Sequence, residues 1–376
     1  MKKFLFFILS LTLIFLSFFS SISTVYATSY PSCSAKSMVV IETRNDTILY
    51  SKNHTQQLPM ASTTKIVTAI TVIENCKDLD ELVKIPKKAT LVEGTSIYLR
   101  ENEELTVRQL LYGLMLQSGN DSAMALAMHT AGSVEKFAEL MEKTANNVGV
   151  KDSSFSNPHG LDDKEHYTTA YDLAKITSYA LKNQDFRDIV STKKYNIPQT
   201  ENGTARTLVN KNKLLSRLEG CVGVKTGFTS KAGRCLVSAA KRGDIEVVCV
   251  VLNCGPMFEE SANLIESAFE EFDLYQILPD YNFVADVMVE NGINKKVRIY
   301  SKKGFSIVTT KEKREKIEVK YEFPDKIVAP VEKEKVVGKV KVFLDSEQIF
   351  EENLFTIDSV DSIIMSDKLK DIIGKW

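Results

Sequence analysis

Three short segments carry side chains able to make and break a carbonyl bond: Ser62-Thr63-Thr64-Lys65, Ser118-Gly119-Asn120 and Lys225-Thr226-Gly227. In the first, a hydroxyl and an amine stand one helical turn apart and so share a face. A serine hydroxyl attacks a carbonyl only when a base takes its proton, and lysine is a base only when neutral. Its ordinary pKa is about 10.4, so half-deprotonation at neutral pH needs a drop of roughly three pKa units, ~4 kcal/mol. Burial and a second cation supply shifts of that size. Taken alone, Ser62 is equally well read as an N-cap opening a helix. The second segment sets a hydroxyl and an amide two residues apart in a loop, where both could face one cleft, although Ser, Gly and Asn also make ordinary turns. In the third, Gly227 would let another backbone approach closely, while Lys225 and Thr226 offer a cation and a hydroxyl to an anionic, peptide-like ligand.

The elements that must hold these segments follow from periodicity. Residues 38–42 and 47–50 read as strands joined by the turn Arg44-Asn45-Asp46. Across 62–76, Ile66, Val67, Ala69, Ile70 and Ile73 recur at helical spacing with few charges, the pattern of a helix buried on most sides. Thr106 with Gln109, and Thr169 with Asp172, read as capping boxes. Another helix is predicted from Ser133 to a C-terminal cap at Gly149. Strands return at 222–226, 235–240 and 245–253, followed by a helix over 258–272. Strands at both ends with helices between them predict an α/β (α+β) fold, one antiparallel sheet with helices on its faces.

From about residue 277 the texture changes. Residues 284–289, 296–300, 316–321 and 336–343 are strand-like, without helical period, and predict a small β-rich domain over 277–360. The Lys/Glu-rich stretches 311–320 and 332–341 read as solvated strand faces and turns. In 361–376, Met365, Leu369, Ile372, Ile373 and Trp376 share a face, which fits an amphipathic helix on a membrane surface or one packed on the β domain. At the other end, Lys2 and Lys3 precede an apolar run that leads to Val25-Tyr26-Ala27, the pattern of a signal peptide over 1–27. The run is short for a membrane span and is broken by Ser10 and Ser17. The catalytic domain is expected over 28–276, outside the cytoplasm, either secreted or at the outer face of the cytoplasmic membrane.

A formal net charge of −1 offers no electrostatic footprint for nucleic acid. The six cysteines include no CxxC pair and the four histidines are scattered, so neither a metal site nor a cofactor is expected. Cys221 and Cys235 could meet across a hairpin, but buried thiols are the simpler expectation. His159 and His166, around Asn157-Pro158-His159-Gly160, read as organisers of a loop rather than as a metal or triad pair.

The three motifs, in this order, match the set that marks class A β-lactamases and penicillin-binding proteins. More closely, the chain resembles the D-alanyl-D-alanine carboxypeptidases among low-molecular-weight penicillin-binding proteins, with some likeness to their sporulation-associated branch. The resemblance runs through 59–65, 110–125, 155–162, 166–174 and 223–240, and the β domain and tail also look like that family's C-terminal half. It implies a penicillin-binding-protein/β-lactamase-like fold and a peptidoglycan stem peptide as substrate, with β-lactams as inhibitors. By the same resemblance Ser62 is the nucleophile, Lys65 the general base and Ser118 a proton relay. Asn120 would hold the substrate amide, and Lys225, Thr226 and Gly227 the terminal carboxylate. The backbone N–H groups of Ser62 and Phe228 would form the oxyanion hole. Lys211 stands where the family often carries a carboxylate-binding arginine, and offers a point charge without the bidentate fork. Ser122 stands where alanine is usual and Glu142 where asparagine is.

Three rival readings differ in class. A class A β-lactamase needs a Glu-x-x-x-Asn loop, and no loop read between the second and third motifs carries that spacing. A non-catalytic wall-binding module would have lost the nucleophile or its lysine. A D,D-endopeptidase shares all three motifs and differs only in what the cleft admits.

Overall fold

The computed structural model describes residues 31–363. The signal peptide read over 1–27 lies outside them, as does the tail from residue 364. Its centre is a five-stranded antiparallel sheet in the order Thr47–Lys52, Ser37–Glu42, Ile245–Leu252, Gly233–Arg242, Cys221–Thr229. The first strand of the region therefore pairs with its last, Val40 opposite Cys249, so the helical middle of the chain closes into a single body. Every residue of Ser37–Glu42 is buried, as a strand covered on both faces must be. Successive side chains point to opposite faces. Val39, Ile41, Val248 and Val250 join the large core under the helices, and the helix Met257–Glu271 closes the other face.

The helix read over 62–76 is two elements: a 3₁₀ turn, Ala61–Thr64, and an α-helix, Lys65–Asn75, buried continuously from Lys65 to Ile73. Ser62 is thus not the N-cap of an α-helix. The capping box at Thr106 and Gln109 opens Val107–Leu116, and Ser133 caps Val134–Asn147, after which Gly149 takes φ +80°. Thr169 accepts from the Asp172 amide at the start of Ala170–Ala180. The helix Asn120–Ala131 begins at the last residue of the second motif. Periodicity did not predict the short helix Gln184–Ser191 or the hairpin of Lys194–Ile197 with Arg206–Val209, whose mixed polar sequences carry little local pattern. Cys221 and Cys235 do not face each other: the hairpin register sets Cys221 against Ala240 and Cys235 against Gly227. All six cysteines are free thiols.

The C-terminal region is a six-stranded sheet in the order Ile317–Glu322, Val336–Leu344, Glu347–Thr356, Lys296–Ser301, Asn282–Glu290, Lys326–Val328. Its core gathers Val287, Val289, Val297, Ile299, Val340, Val342 and Leu354. Asp273–Leu278, entered directly from the preceding helix, pairs with Phe305–Thr309. One short helix, Lys311–Arg314, stands within a stretch read as strand faces and turns, and Thr310 caps it. The amphipathic helix read from residue 361 does not begin there. Ser362 bridges to Gly292, and the Ile363 amide donates to the Asn291 carbonyl, which holds these residues extended. Among the described residues no helix is long and apolar enough to cross a membrane.

Candidate active site

Helix, loop and edge strand converge on one cluster. The ammonium of Lys65 lies 3.0 Å from Ser62 Oγ, 2.7 Å from Asn120 Oδ1 and 2.5 Å from the His159 carbonyl oxygen. The first contact follows from spacing, since Ser62 ends one turn before Lys65. The second joins the first motif to the second across 55 residues of chain. The third is a backbone carbonyl, which no side-chain pattern announces. It is delivered by the 157–160 loop, where Asn157 Oδ1 accepts from the Gly160 amide and Pro158 O accepts from Thr68 on the helix Lys65–Asn75.

Lys65 has no exposed surface, and Lys225 has 1%. Burial drives the Lys65 pKa well below its ordinary value, and the charges of Lys225 and then Lys211 push it further down, while Asp121 opposes them. Lys225 is lowered to about 7, by burial first and by Lys211 second. The polar partners of both lysines are neutral oxygens: Lys225 donates to the Thr226 carbonyl at 3.0 Å. Burial and the neighbouring cations therefore push the lysine that begins this helix toward the neutral form that a base needs. The arrangement can accept the Ser62 proton and deliver the oxygen to a carbonyl.

The edge strand Cys221–Thr229 carries the third motif against the turn Ala61–Thr64. A Cβ on Gly227 would lie 3.0 Å from the Ser62 nitrogen and 3.1 Å from the Met60 carbonyl oxygen, so a larger residue would crowd this approach. Lys225 and Gly227 are buried on the side facing that turn, Thr226 is half-buried, and Phe228 is exposed. The strand hydrogen-bonds to Gly233–Arg242 along one side only, which leaves its other side free to pair with an extended ligand.

Two non-glycine residues of the cluster adopt left-handed backbone: Ala61 with φ +51° and Ser118 with φ +64°. Such conformations cost energy and persist only where surrounding structure imposes them. At Ala61 the constraint is visible. Gly160, itself at φ +86°, packs so closely that a Cβ there would come within 2.1 Å of the Ala61 carbonyl oxygen. Ser118 is almost fully buried, one residue before the cap of Asn120–Ala131.

Asn120 is fixed on both sides of its amide, with Nδ2 donating to the Glu93 carbonyl at 2.6 Å and its backbone amide donating to Thr95. The next residue, Asp121, was not singled out from the sequence. Its buried carboxylate accepts from the amides of Ile97, Leu99 and Ser122 and from Ser96 Oγ, and so shapes the loop that Asn120 leans on. Glu103 and Arg206 extend the same scaffold in a buried bidentate pair, with Arg206 also donating to the carbonyls of Ile97 and Tyr98. No local signal reveals this pair, whose members lie 103 residues apart.

The two histidines organise their loop as expected. His166 Nε2 meets Thr64 Oγ1 at 2.7 Å and its Nδ1 accepts from the Ser156 amide. The Leu161 amide donates to His159 Nδ1. Burial lowers His166 to about 4 and, with the Lys65 charge, His159 to about 3, so both are neutral at physiological pH. Lys211 sits with its amide on the Leu116 carbonyl, and its charge acts on both buried lysines. Glu142 accepts from the Phe155 amide, while Ser122 is buried against Gly113 and Gly119.

Comparison with known proteins matches this architecture over almost its whole length. The family model for D-alanyl-D-alanine carboxypeptidases matches residues 24–255, and that for the C-terminal domain of penicillin-binding protein 5 matches residues 272–362. The chain is 31% identical over 351 residues to the D-alanyl-D-alanine carboxypeptidase DacF of Bacillus subtilis, covering 91% of this chain and 90% of that one. Among solved structures, penicillin binding protein 5 of Haemophilus influenzae superposes with a TM-score of 0.76 at 27% identity, over 89% of this chain and all (100%) of that one. The Streptomyces K15 DD-transpeptidase superposes with a TM-score of 0.61 at 35% identity, over 65% of this chain and 100% of that one.

Proposed function

Because the chain belongs to the D-alanyl-D-alanine carboxypeptidase family, we propose that it removes the terminal D-alanine from peptidoglycan pentapeptide stems through an acyl-enzyme on Ser62. The observation that carries this reading is the fully buried Lys65, its pKa lowered by burial and by Lys225, with its nitrogen 3.0 Å from Ser62 Oγ. Lys65 takes the hydroxyl proton as Oγ attacks the carbonyl between the two D-alanines. The oxyanion that forms is held by the backbone N–H groups of Ser62 and Phe228, where one donor is typically worth about 3–4 kcal/mol. The proton passes through Ser118 to the departing amine, the C–N bond breaks, and free D-alanine leaves. Water then hydrolyses the ester and releases the shortened stem.

Substrate binding uses the remaining parts. The extended peptide lies along the free side of Cys221–Thr229, with Asn120 at its amide. Its terminal carboxylate meets Lys225 and Thr226, with Lys211 contributing charge from the side. Penicillins acylate the same serine and leave slowly. Residues 1–27 direct export.

Mass spectrometry of pentapeptide stems digested by the enzyme tests the reading. Loss of one alanine is expected; cleavage only of cross-linked dimers would identify an endopeptidase, and rapid penicillin turnover a β-lactamase. A fluorescent penicillin should label the wild type and not Ser62→Ala.

A further inference from the structure

Away from the catalytic cluster, two cysteines converge on one carboxylate. The segment before the first strand runs along the end of Ile245–Leu252, with the Lys36 amide donating to the Leu252 carbonyl at 3.1 Å. This brings Cys33 beside Cys254, which follows that strand, and beside Glu260 in the first turn of Met257–Glu271. Cys33 Sγ and Cys254 Sγ lie 3.1 and 2.9 Å from the same atom, Glu260 Oε2. The two sulfurs can be no farther apart than those distances laid end to end, and the two thiols influence each other's ionisation. The Ser34 amide donates to both oxygens of Glu260, at 3.1 and 3.0 Å, and Ser34 Oγ lies 3.9 Å from Cys254 Sγ. Each of the three elements is thus tied at this point.

We propose that Cys33 and Cys254 form a disulfide by thiol–disulfide exchange with an external low-molecular-weight disulfide. The two thiols differ in the way exchange requires. Cys33 keeps some exposure (7%), whereas Cys254 has none (0%). The Cys254 thiol hydrogen bond lowers the Cys33 pKa, outweighing burial, so Cys33 is the more readily ionised of the two. Its thiolate attacks the external disulfide, forming a mixed disulfide and releasing one thiol. Cys254 then attacks the Cys33 sulfur, forming the internal bond and releasing the second thiol. Two protein thiols are oxidised, one external disulfide is reduced to two thiols, and the two protons leave on those products. The bond would staple the start of the sheet to its final strand, closing nearly the whole catalytic region into one loop, the case in which a crosslink restricts the unfolded chain most.

The other cysteines lack this arrangement. Cys249 is fully buried, Cys235 meets only backbone carbonyls, and Cys76 meets Glu81 and the Asp78 carbonyl. The proposal draws on the export reading only for where the oxidant is met; the chemistry is testable on the purified protein.

Reduced full-length protein is incubated with oxidised glutathione, alkylated, digested without reductant and mapped by mass spectrometry. The expected product joins the Cys33 and Cys254 peptides, lighter by two hydrogens, with the other four cysteines alkylated. Oxidised wild type should lose several degrees of Tm on reduction, a shift retained in Cys76→Ser and absent from Cys33→Ser. Full alkylation of both cysteines, a lasting glutathione adduct on Cys33, or a bond from Cys33 to another cysteine would overturn the pairing. Penicillin labelling of Cys33→Ser should match the wild type, which keeps this result separate from the catalytic reading.

Discussion

Lysine does opposite work in the two halves of the molecule. In the C-terminal sheet, Lys341 reaches Glu322 at 2.7 Å, Lys326 reaches Glu290 at 3.0 Å and Lys339 pairs with Glu351, each between neighbouring strands with the charged ends in solvent. Carboxylate neighbours raise the pKa of Lys341 and of Lys326. In the catalytic cleft, Lys65 and Lys225 are buried, bonded to neutral oxygens and set against other cations, and both are lowered. The side chain is the same; water and counter-charge decide whether it is a solvated cation or a base. A cluster that would destabilise an ordinary surface is here imposed by packing, as are the left-handed backbones of Ala61 and Ser118.

The contrast is broken most severely at Lys65. Lys65→Arg keeps the cation but cannot deprotonate, so Ser62 acylation by fluorescent penicillin should fall about 10³–10⁴-fold. Retained labelling would remove Lys65 from the role of base. Lys225→Met comes next. Removing that charge lets the Lys65 pKa rise, so the acid limb of the acylation pH profile should move to higher pH, with KM for a D-Ala-D-Ala peptide rising at least tenfold. In the wild type, protonation of Lys65 removes activity as pH falls. Loss of the Lys225 cation, lowered to about 7, raises KM as pH climbs; a profile flat on its alkaline side would contradict that assignment.

A smaller effect is expected where geometry alone is disturbed. Gly227→Ala places a methyl 3.0 Å from the Ser62 nitrogen. It should slow acylation about 10–100-fold with little change in Tm, read from acylation rate and thermal melt together. The smallest belongs to the other half: Lys341→Ala should leave acylation unchanged and shift Tm by less than about 2 °C. A larger shift would show that the exposed pairs carry more of the C-terminal sheet than their exposure allows.

Much of this was legible in the chain because it is local. Ser62 and Lys65 share a face by spacing; Thr106 caps its own helix; Val39 and Ile41 alternate with Met38 and Val40 in a strand buried on both faces. A central strand, Glu347–Thr356, escaped notice because only Leu354 and Thr356 are buried along it, leaving almost no hydrophobic alternation. The helix expected from residue 361 opens instead in extended backbone, since Ser362 finds its partner in Gly292, 70 residues back.

The sequence by itself determined the spacing of Ser62 and Lys65 and the order of the three motifs, since each lies within one turn, loop or strand. Only the tertiary structure decided that Asn120 Oδ1 and the His159 carbonyl grip Lys65, that Asp121 and the Glu103–Arg206 pair hold the neighbouring loop, and that Cys33 meets Cys254 across Glu260. Those contacts depend on where distant segments return, as does the lowered pKa of Lys65, which comes from burial and from the charges of Lys225 and Lys211. The lowered pKa that a base needs is a property of the folded cleft and not of the Ser-x-x-Lys spacing.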